Sequence, residues 1–205
     1  CTHEYWRSNG KFAPNITLRL ASGGYIGGGL YHSQNIEGAL TTLPGARIVC
    51  PSFADDAAGL LRPSMRSKVP FGKARVRREG TDLSIITYGN TTHFCLHAAE
   101  RLEKEGGWKV EVIDIRSLMP LDKEAIFESV KKTSKALVVH EDKVFSGFGA
   151  ELAAMIGSEM FRYLDGPVQR VGSTFTPVGF NPILEKEILP DEAKIYEAAK
   201  KVLEY

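Results

Sequence analysis

From about residue 83 to the end of the chain, short apolar runs alternate with amphipathic stretches, and this rhythm constrains the fold more than any other feature. "LSIITYG" (83–89) is an apolar run closed by glycine, as expected of a buried strand. "TTHFCLHAAERLEKEGG" follows with Phe94, Ala98 and Leu102 at helical spacing and Gly106-Gly107 to end the helix. "WKVEVIDI" (108–115), "KALVVHE" (135–141) and "PVQRVG" (167–172) read as three more strands. Between and after them lie helices: "PLDKEAIFESVKKT", N-capped by Asp122 with Ile126 and Val130 inward, and "GFGAELAAMIGSEMF". The last helix opens at Asp191 and buries Ile195, Ala199 and Val202. Strand–helix alternation of this kind calls for an α/β fold, a mostly parallel sheet covered by helices. "GKARVRREGTDL" before it supplies a strand and a polar turn suited to a sheet edge.

The first third is less regular. "NITLRL" (15–20) and "ARIVCP" (46–51) read as strands, and "SFADDAAGLLRPSMRS" as a helix with Ala57, Leu60 and Leu61 on its apolar face. Pro63 sits awkwardly inside that helix, because it has no N–H to give. Two strands and one helix make a poor domain alone, so the rest of this unit is expected upstream of Cys1, with a boundary near residues 67–75. The abrupt passage from "LLRPSMRS" to "KVPFGKARV" suggests an internal piece missing between Ser67 and Lys68.

A hydrophobic share of 43% over 205 residues suits a packed protein. A net charge of +1 argues against nucleic acid or an anionic membrane as the main partner, since both need concentrated positive charge. There is no apolar run long enough to span a bilayer and no secretory signal at the start. The three dispersed cysteines, Cys1, Cys50 and Cys95, form neither a disulfide framework nor a zinc spacing, and a cytoplasmic location is expected.

"GGYIGGGLYHSQN" (23–35) packs five glycines into its first seven positions. It fails the phosphate tests. Counting from Gly27, a dinucleotide fingerprint would need glycine where His32 stands, and a P-loop would need Lys and Ser or Thr where Leu30 and Tyr31 stand. Two readings stay open on composition: a floppy surface loop, or a glycine hinge that presents His32 into a cleft. His32 is the best acid–base candidate on intrinsic grounds, with an ordinary pKa of about 6.5 and Ser33 and Gln34 beside it. No G-x-S-x-G elbow and no H-E-x-x-H motif occurs.

At "LYHSQNIEGALTTLPGARIVCPSFADDAAGLL" the chain resembles the β subunits of the thiamine-diphosphate-dependent 2-oxo acid dehydrogenases, the pyruvate and branched-chain (2-oxoisovalerate) group. The matching features are Gly27 to Gly29, His32-Ser33-Gln34, Pro44-Gly45 and Ile48 to Pro51. "EGTDLSIITYG", "VEVIDIRSLMPLD", His140-Glu141 followed by Gly147 and Gly149, and "ILPDEAKIYEAAKKVL" continue the match in order. The resemblance implies two parts: the C-terminal part of a thiamine-binding pyrimidine domain (1–67) and a transketolase C-terminal-like domain (68–205). It implies oxidative decarboxylation of a 2-oxo acid, pyruvate or branched-chain, with acyl transfer to lipoamide.

By the same resemblance His32 is the catalytic histidine facing the cofactor's reactive thiazolium carbon, and Ser33 and Gln34 complete its active-site loop. Thiamine diphosphate and its Mg are expected to be held mainly by residues outside this chain, and the activating glutamate lies upstream, so the chain alone should be inactive. The implied partners are an α subunit or fused α region, a second β part in a homodimer, and the lipoyl acyltransferase core. Some members bind K+ through backbone carbonyls at positions matching Ile16, Ser64 and Met65; the family's acidic ligand falls at Ser67, which has no carboxylate. Arg116 and Asp122 are expected to fix a turn and cap a helix, His140 to be structural or interfacial, and Phe94, Phe127 and Phe161 to be core or interface. The alternatives are another transketolase-type enzyme, against which His-Ser-Gln argues, a non-catalytic dimerisation and docking module, and a Rossmann-like nucleotide binder.

Overall fold

The structure, a computed structural model, describes residues 7–12, 16–66 and 71–205. The junction of Ser67 and Lys68, where an internal piece is expected to be missing, lies outside the described residues.

The alternation becomes a five-stranded sheet. Its strands are β2 (Arg75–Arg78), β3 (Leu83–Thr87), β4 (Val110–Asp114), β6 (Ala136–Lys143) and β7 (Gln169–Ser173), in the order β2-β4-β3-β6-β7. All pairings are parallel except that of β2 with β4, so "RVRR" forms the sheet edge expected of it and runs antiparallel to its neighbour. Side chains alternate across this sheet with period two. Leu83, Ile85, Val110, Val112, Leu137 and Val139 pack on one face beneath α4 (Thr91–Gly106) and α8 (Glu192–Leu203). Ile86, Ile113, Ala136 and Val138 pack on the other beneath α5 (Lys123–Thr133) and α6 (Phe148–Glu159). The caps fall where the residue types demand. Asp122 accepts the Ala125 N–H, Asp191 accepts the Lys194 N–H, and Gly107 closes α4 in the left-handed conformation.

Ahead of the sheet come two single-turn helices, α1 (Gly29–His32) and α2 (Glu37–Leu40), then β1 (Ile48–Val49) and α3 (Ala54–Arg66). β1 pairs antiparallel with β5 (Ser117–Met119), which ties this portion to the sheet. A buried ionic cluster makes a second tie. Arg77 on β2 and Arg116 after β4 both pair with Asp56 on α3, and Arg77 also donates to Asp114. Arg116 therefore does more than fix a turn: it donates to the Lys73 and Ala74 carbonyls as well.

Some expectations need correction. Residues 16–20 form no strand; Ile16, Leu18 and Leu20 are exposed, and among the described residues no strand lies beside them to complete a ladder. Local propensity cannot make a strand without a hydrogen-bonding neighbour. α3 runs past Pro63 to Arg66, forgoing the N–H that would have met the Gly59 carbonyl. Leu60 is buried on α3 but Leu61 is largely outside the core. Phe94 and Phe127 pack against the core, whereas Phe161 is exposed. The sequence reading missed α7 (Pro182–Ile188), which is N-capped by Asn181.

Candidate functional site

In a parallel sheet, function gathers at the carboxyl ends of the strands where the strand order reverses, here between β3 and β6. That crevice is filled by the chain's own residues 23–40, and β6 is built to receive them. Between its pairings Val139↔Val171 and Lys143↔Ser173, four steps along β6 oppose two along β7. Such a bulge re-aims side chains. It turns His140 into the interior and sends Glu141 and Asp142 toward the glycine loop.

Glu141 Oε1 accepts the Gly24 N–H at 2.5 Å, and Glu185 on α7 accepts the Gly27 N–H at 3.3 Å. Tyr25 donates its hydroxyl to the Pro190 carbonyl at 2.5 Å and its ring lies 5.3 Å from Phe94. Gly29 takes φ +57°, and a Cβ there would come within 2.6 Å of the Phe180 ring. The glycine stretch is thus a docked loop ending in a helical turn, and neither floppy nor a free hinge. Its amides already serve carboxylates, which leaves them unsuited to a phosphate.

His32 is the last residue of α1 and is exposed. Ser33 next to it is buried with its Oγ lacking a hydrogen-bond partner. Gln34 is exposed; its Nε2 donates to the Leu30 carbonyl at 3.3 Å, and its own carbonyl accepts the Gly23 N–H at 3.2 Å. The three residues of the motif therefore diverge, and only the imidazole is offered to an outside molecule. Around it stand exposed apolar side chains: Ile26, Leu30, Tyr31 at 85% and Phe180 at 75%. Ile16 lies on the irregular segment 16–20, while Ser64 and Met65 continue the backbone of α3 and their side chains lie outside the described residues. Among the described residues no group of three or more His, Cys, Asp or Glu could hold a metal ion.

Beneath the loop lies a cluster that sequence reading passed over. Glu37 on α2 is buried, and burial pushes its carboxyl up to about 7, helped by the negative charges of Asp142 and Glu141. His140 is fully buried with neither ring nitrogen hydrogen-bonded, and burial pushes its pKa down to about 4, with Arg170 adding to the effect. The imidazole is therefore neutral and structural. A signal for Glu37 existed in the chain, since it follows the His-Ser-Gln motif by three residues. Glu141 stood in the matching His140-Glu141 pair, but nothing in the sequence tied it or Glu185 to glycines 117 and 158 positions away.

The two buried groups give opposite pH dependences. Glu37 has an ordinary value of 4.5 and a folded value of about 7. Between these the folded chain keeps a proton that the unfolded chain releases, so its contribution is lost as pH rises, a change worth at most about 3 kcal/mol. His140, ordinarily 6.5 and about 4 when folded, adds stability as pH rises through that window. Glu37→Gln should therefore be more stable than the parent at pH 8 and should expose a rise in stability between pH 4 and 6.5, measured by urea unfolding. A variant that loses stability above pH 6 as the parent does would refute this assignment.

Among the described residues no helix is long and apolar enough to cross a membrane. Residues 72–195 match the family model for the transketolase C-terminal domain. The 2-oxoisovalerate dehydrogenase subunit beta of Bacillus subtilis (strain 168) is 37% identical over 98% of this chain and 69% of its own length. The mitochondrial pyruvate dehydrogenase E1 component subunit beta of Saccharomyces cerevisiae is 36% identical over 97% of this chain and 62% of its own length. The Bacillus alignment runs over 226 positions, more than the 205 residues of the chain, so that relative carries residues this chain lacks. Among solved structures, a split-gene transketolase described as an inactive β4 tetramer superposes with a TM-score of 0.70 at 26% identity, over 83% of this chain and 62% of that one. A transketolase from Pichia stipitis shares the fold alone, with a TM-score of 0.62 at 15% identity over 90% of this chain and 30% of that one. With its sheet, its His-Ser-Gln turn and these relatives in agreement, the chain belongs to the β-subunit family of the pyruvate and 2-oxoisovalerate dehydrogenases.

Proposed function

We propose that this chain is the β part of a thiamine-diphosphate-dependent 2-oxo acid dehydrogenase, and that a second chain or segment completes its active site over His32. The observation that carries this is an exposed imidazole, set by a docked loop among exposed apolar side chains, with no cover from the described residues of its own chain. An acid–base group at work in bulk water is weak, and an apolar rim of this kind calls for a covering surface.

The residues present fit one end of the cofactor. Glu141 and Glu185 occupy the Gly24 and Gly27 amides, so these two offer no cradle to the diphosphate, which with its Mg belongs to the α partner. The apolar rim suits the cofactor's rings, beside which His32 would stand. Thiamine diphosphate, when bound, supplies the electron sink for decarboxylation. His32 then holds and moves a proton at its exposed ring nitrogen, and the rim excludes water once covered. Gln34 fixes the end of α1 through the Leu30 carbonyl.

The substrate class is a 2-oxo acid, pyruvate or branched-chain, and lipoamide takes the acyl group from the side where His32 is exposed. The relative described as an inactive β4 tetramer supports inactivity of the β part alone and its pairing with a second β part. The acyltransferase core completes the set of partners. The chain divides into residues 1–67 and 68–205, a reading supported by the start of the family match at residue 72. For K+, the carbonyls of Ser64 and Met65 fall in the last turn of α3, where intrahelical partners run out, and with the Ile16 carbonyl they are donors of the right type. The free thiols of Cys50 and Cys95 suit a reducing compartment such as the cytoplasm.

Titration calorimetry with thiamine diphosphate and Mg tests the proposal. Binding is expected only when the chain is paired with its α partner. Binding by the chain alone, or none with the partner present, would overturn it.

A further inference from the structure

The loop that carries His32 is closed at its neck by its own residues. The Gly23 N–H donates to the Gln34 carbonyl at 3.2 Å, and Ser22 Oγ donates to Asn35 Oδ1 at 3.0 Å. A second closure comes from far along the chain. The Glu141 carboxylate accepts the Gly24 N–H at 2.5 Å; burial raises its pKa, and the Asn35 side chain faces it closely enough to hold that rise down. One carboxylate on a bulged strand thereby joins both ends of the turn that displays the imidazole. Its neighbour Asp142 packs against Gly38, where a Cβ would stand 2.6 Å from its Oδ2, so the segment just beyond the motif rests on the same strand. Gly23 leaves room for this approach, since a Cβ there would stand 2.7 Å from Glu141 Oε1.

We infer that Glu141 is a positioning residue of the decarboxylating site, fixing the imidazole of His32 by clamping Gly24 and Asn35 to the end of the sheet. This rests on the reading of His32 given above. The geometry favours a clamp over a general packing role for two reasons. The Gly24 contact is a hydrogen bond to the carboxylate, which a side chain of similar volume without acceptors cannot make. Both contacts also fall on the loop and not within the sheet. A bond to an ionised acceptor is about twice as strong as a neutral one, so a single residue can hold the turn. Removing it leaves the loop held by the neck, the Glu185 contact and the packing of Tyr25.

The test uses the assembled enzyme and reads the loop and the reaction separately. In Glu141→Ala, amide hydrogen exchange across residues 23–35 should rise about tenfold or more, as expected when a local closure is lost, while exchange in β3, β4 and β6 stays unchanged. kcat should fall by about 10- to 100-fold, the cost of a misplaced catalytic group, with KM for the 2-oxo acid within about twofold of the parent. Glu141→Gln keeps an oxygen for the Gly24 N–H and should recover most of both. Asn35→Ala cuts the other end of the clamp from the loop side, without touching the sheet, and should move both readouts in the same direction. Loop exchange unchanged in Glu141→Ala and Asn35→Ala would overturn the clamp. A loosened loop with unchanged kcat, in an enzyme that His32→Ala inactivates, would overturn the positioning role. If His32→Ala itself leaves the enzyme active, the reading of His32 fails, and the clamp then stands or falls on exchange alone.

Discussion

His32→Ala in the assembled α–β enzyme should lower the rate of acyl transfer to a lipoyl acceptor by about 100-fold or more, the usual worth of a positioned acid–base group. Affinity for thiamine diphosphate should hardly change, because the Gly24 and Gly27 amides, taken by Glu141 and Glu185, offer the cofactor no cradle. Chain stability should not change either, since His32 is exposed and makes no buried contact. Three measurements separate the effects: single-turnover acylation, calorimetric binding of the cofactor, and urea unfolding. A large drop in cofactor affinity with acylation intact would give His32 a binding role and remove the catalytic one.

Gly149→Ala should destabilise the chain by about 3 kcal/mol or more, although it lies outside the reacting region. An added Cβ would meet Cδ2 and Nε2 of His140 at 2.1 Å. The imidazole cannot retreat. It is fully buried, stacked at 6.3 Å on Tyr88, and hemmed by Gly147 and Gly172, where a Cβ would stand 3.0 Å from its Cε1. Close-packed interiors do not absorb such a clash by small shifts. The double change His140→Ala with Gly149→Ala should recover part of the loss, since residues in contact are not additive. Thermal unfolding of the three variants checks this. A Gly149→Ala chain as stable as the parent would mean that His140 is not held in this slot, and the bulge that sets Glu141 and Asp142 would lose its support.

The sheet domain was legible because its signals are local and repeated. Short apolar runs marked β3, β4 and β6, and Asp122, Asp191 and Gly107 marked helix ends where the structure has them. Residues 16–20 carried the same strand propensity and form no strand, because pairing is a property of neighbours and not of the segment. The candidate motif at His32 and its neighbours could be picked out because it is contiguous. What holds that motif could not. Glu141 read as the end of a strand, and only the β6 bulge turns it toward Gly24. Glu185 sits on a helix that the sequence reading did not find. The slot of His140 likewise joins Gly147 and Gly149 at the start of α6 with Gly172 on β7, and the last of these cannot be read from the local sequence.

The most direct measurement is a crystal structure of the assembled enzyme with thiamine diphosphate bound. It should show the His32 imidazole beside the cofactor's thiazolium ring, within reach of a hydrogen bond to a bound substrate, under a surface supplied by another chain or segment. An imidazole turned away from the cofactor, or covered only by its own chain, would contradict the account.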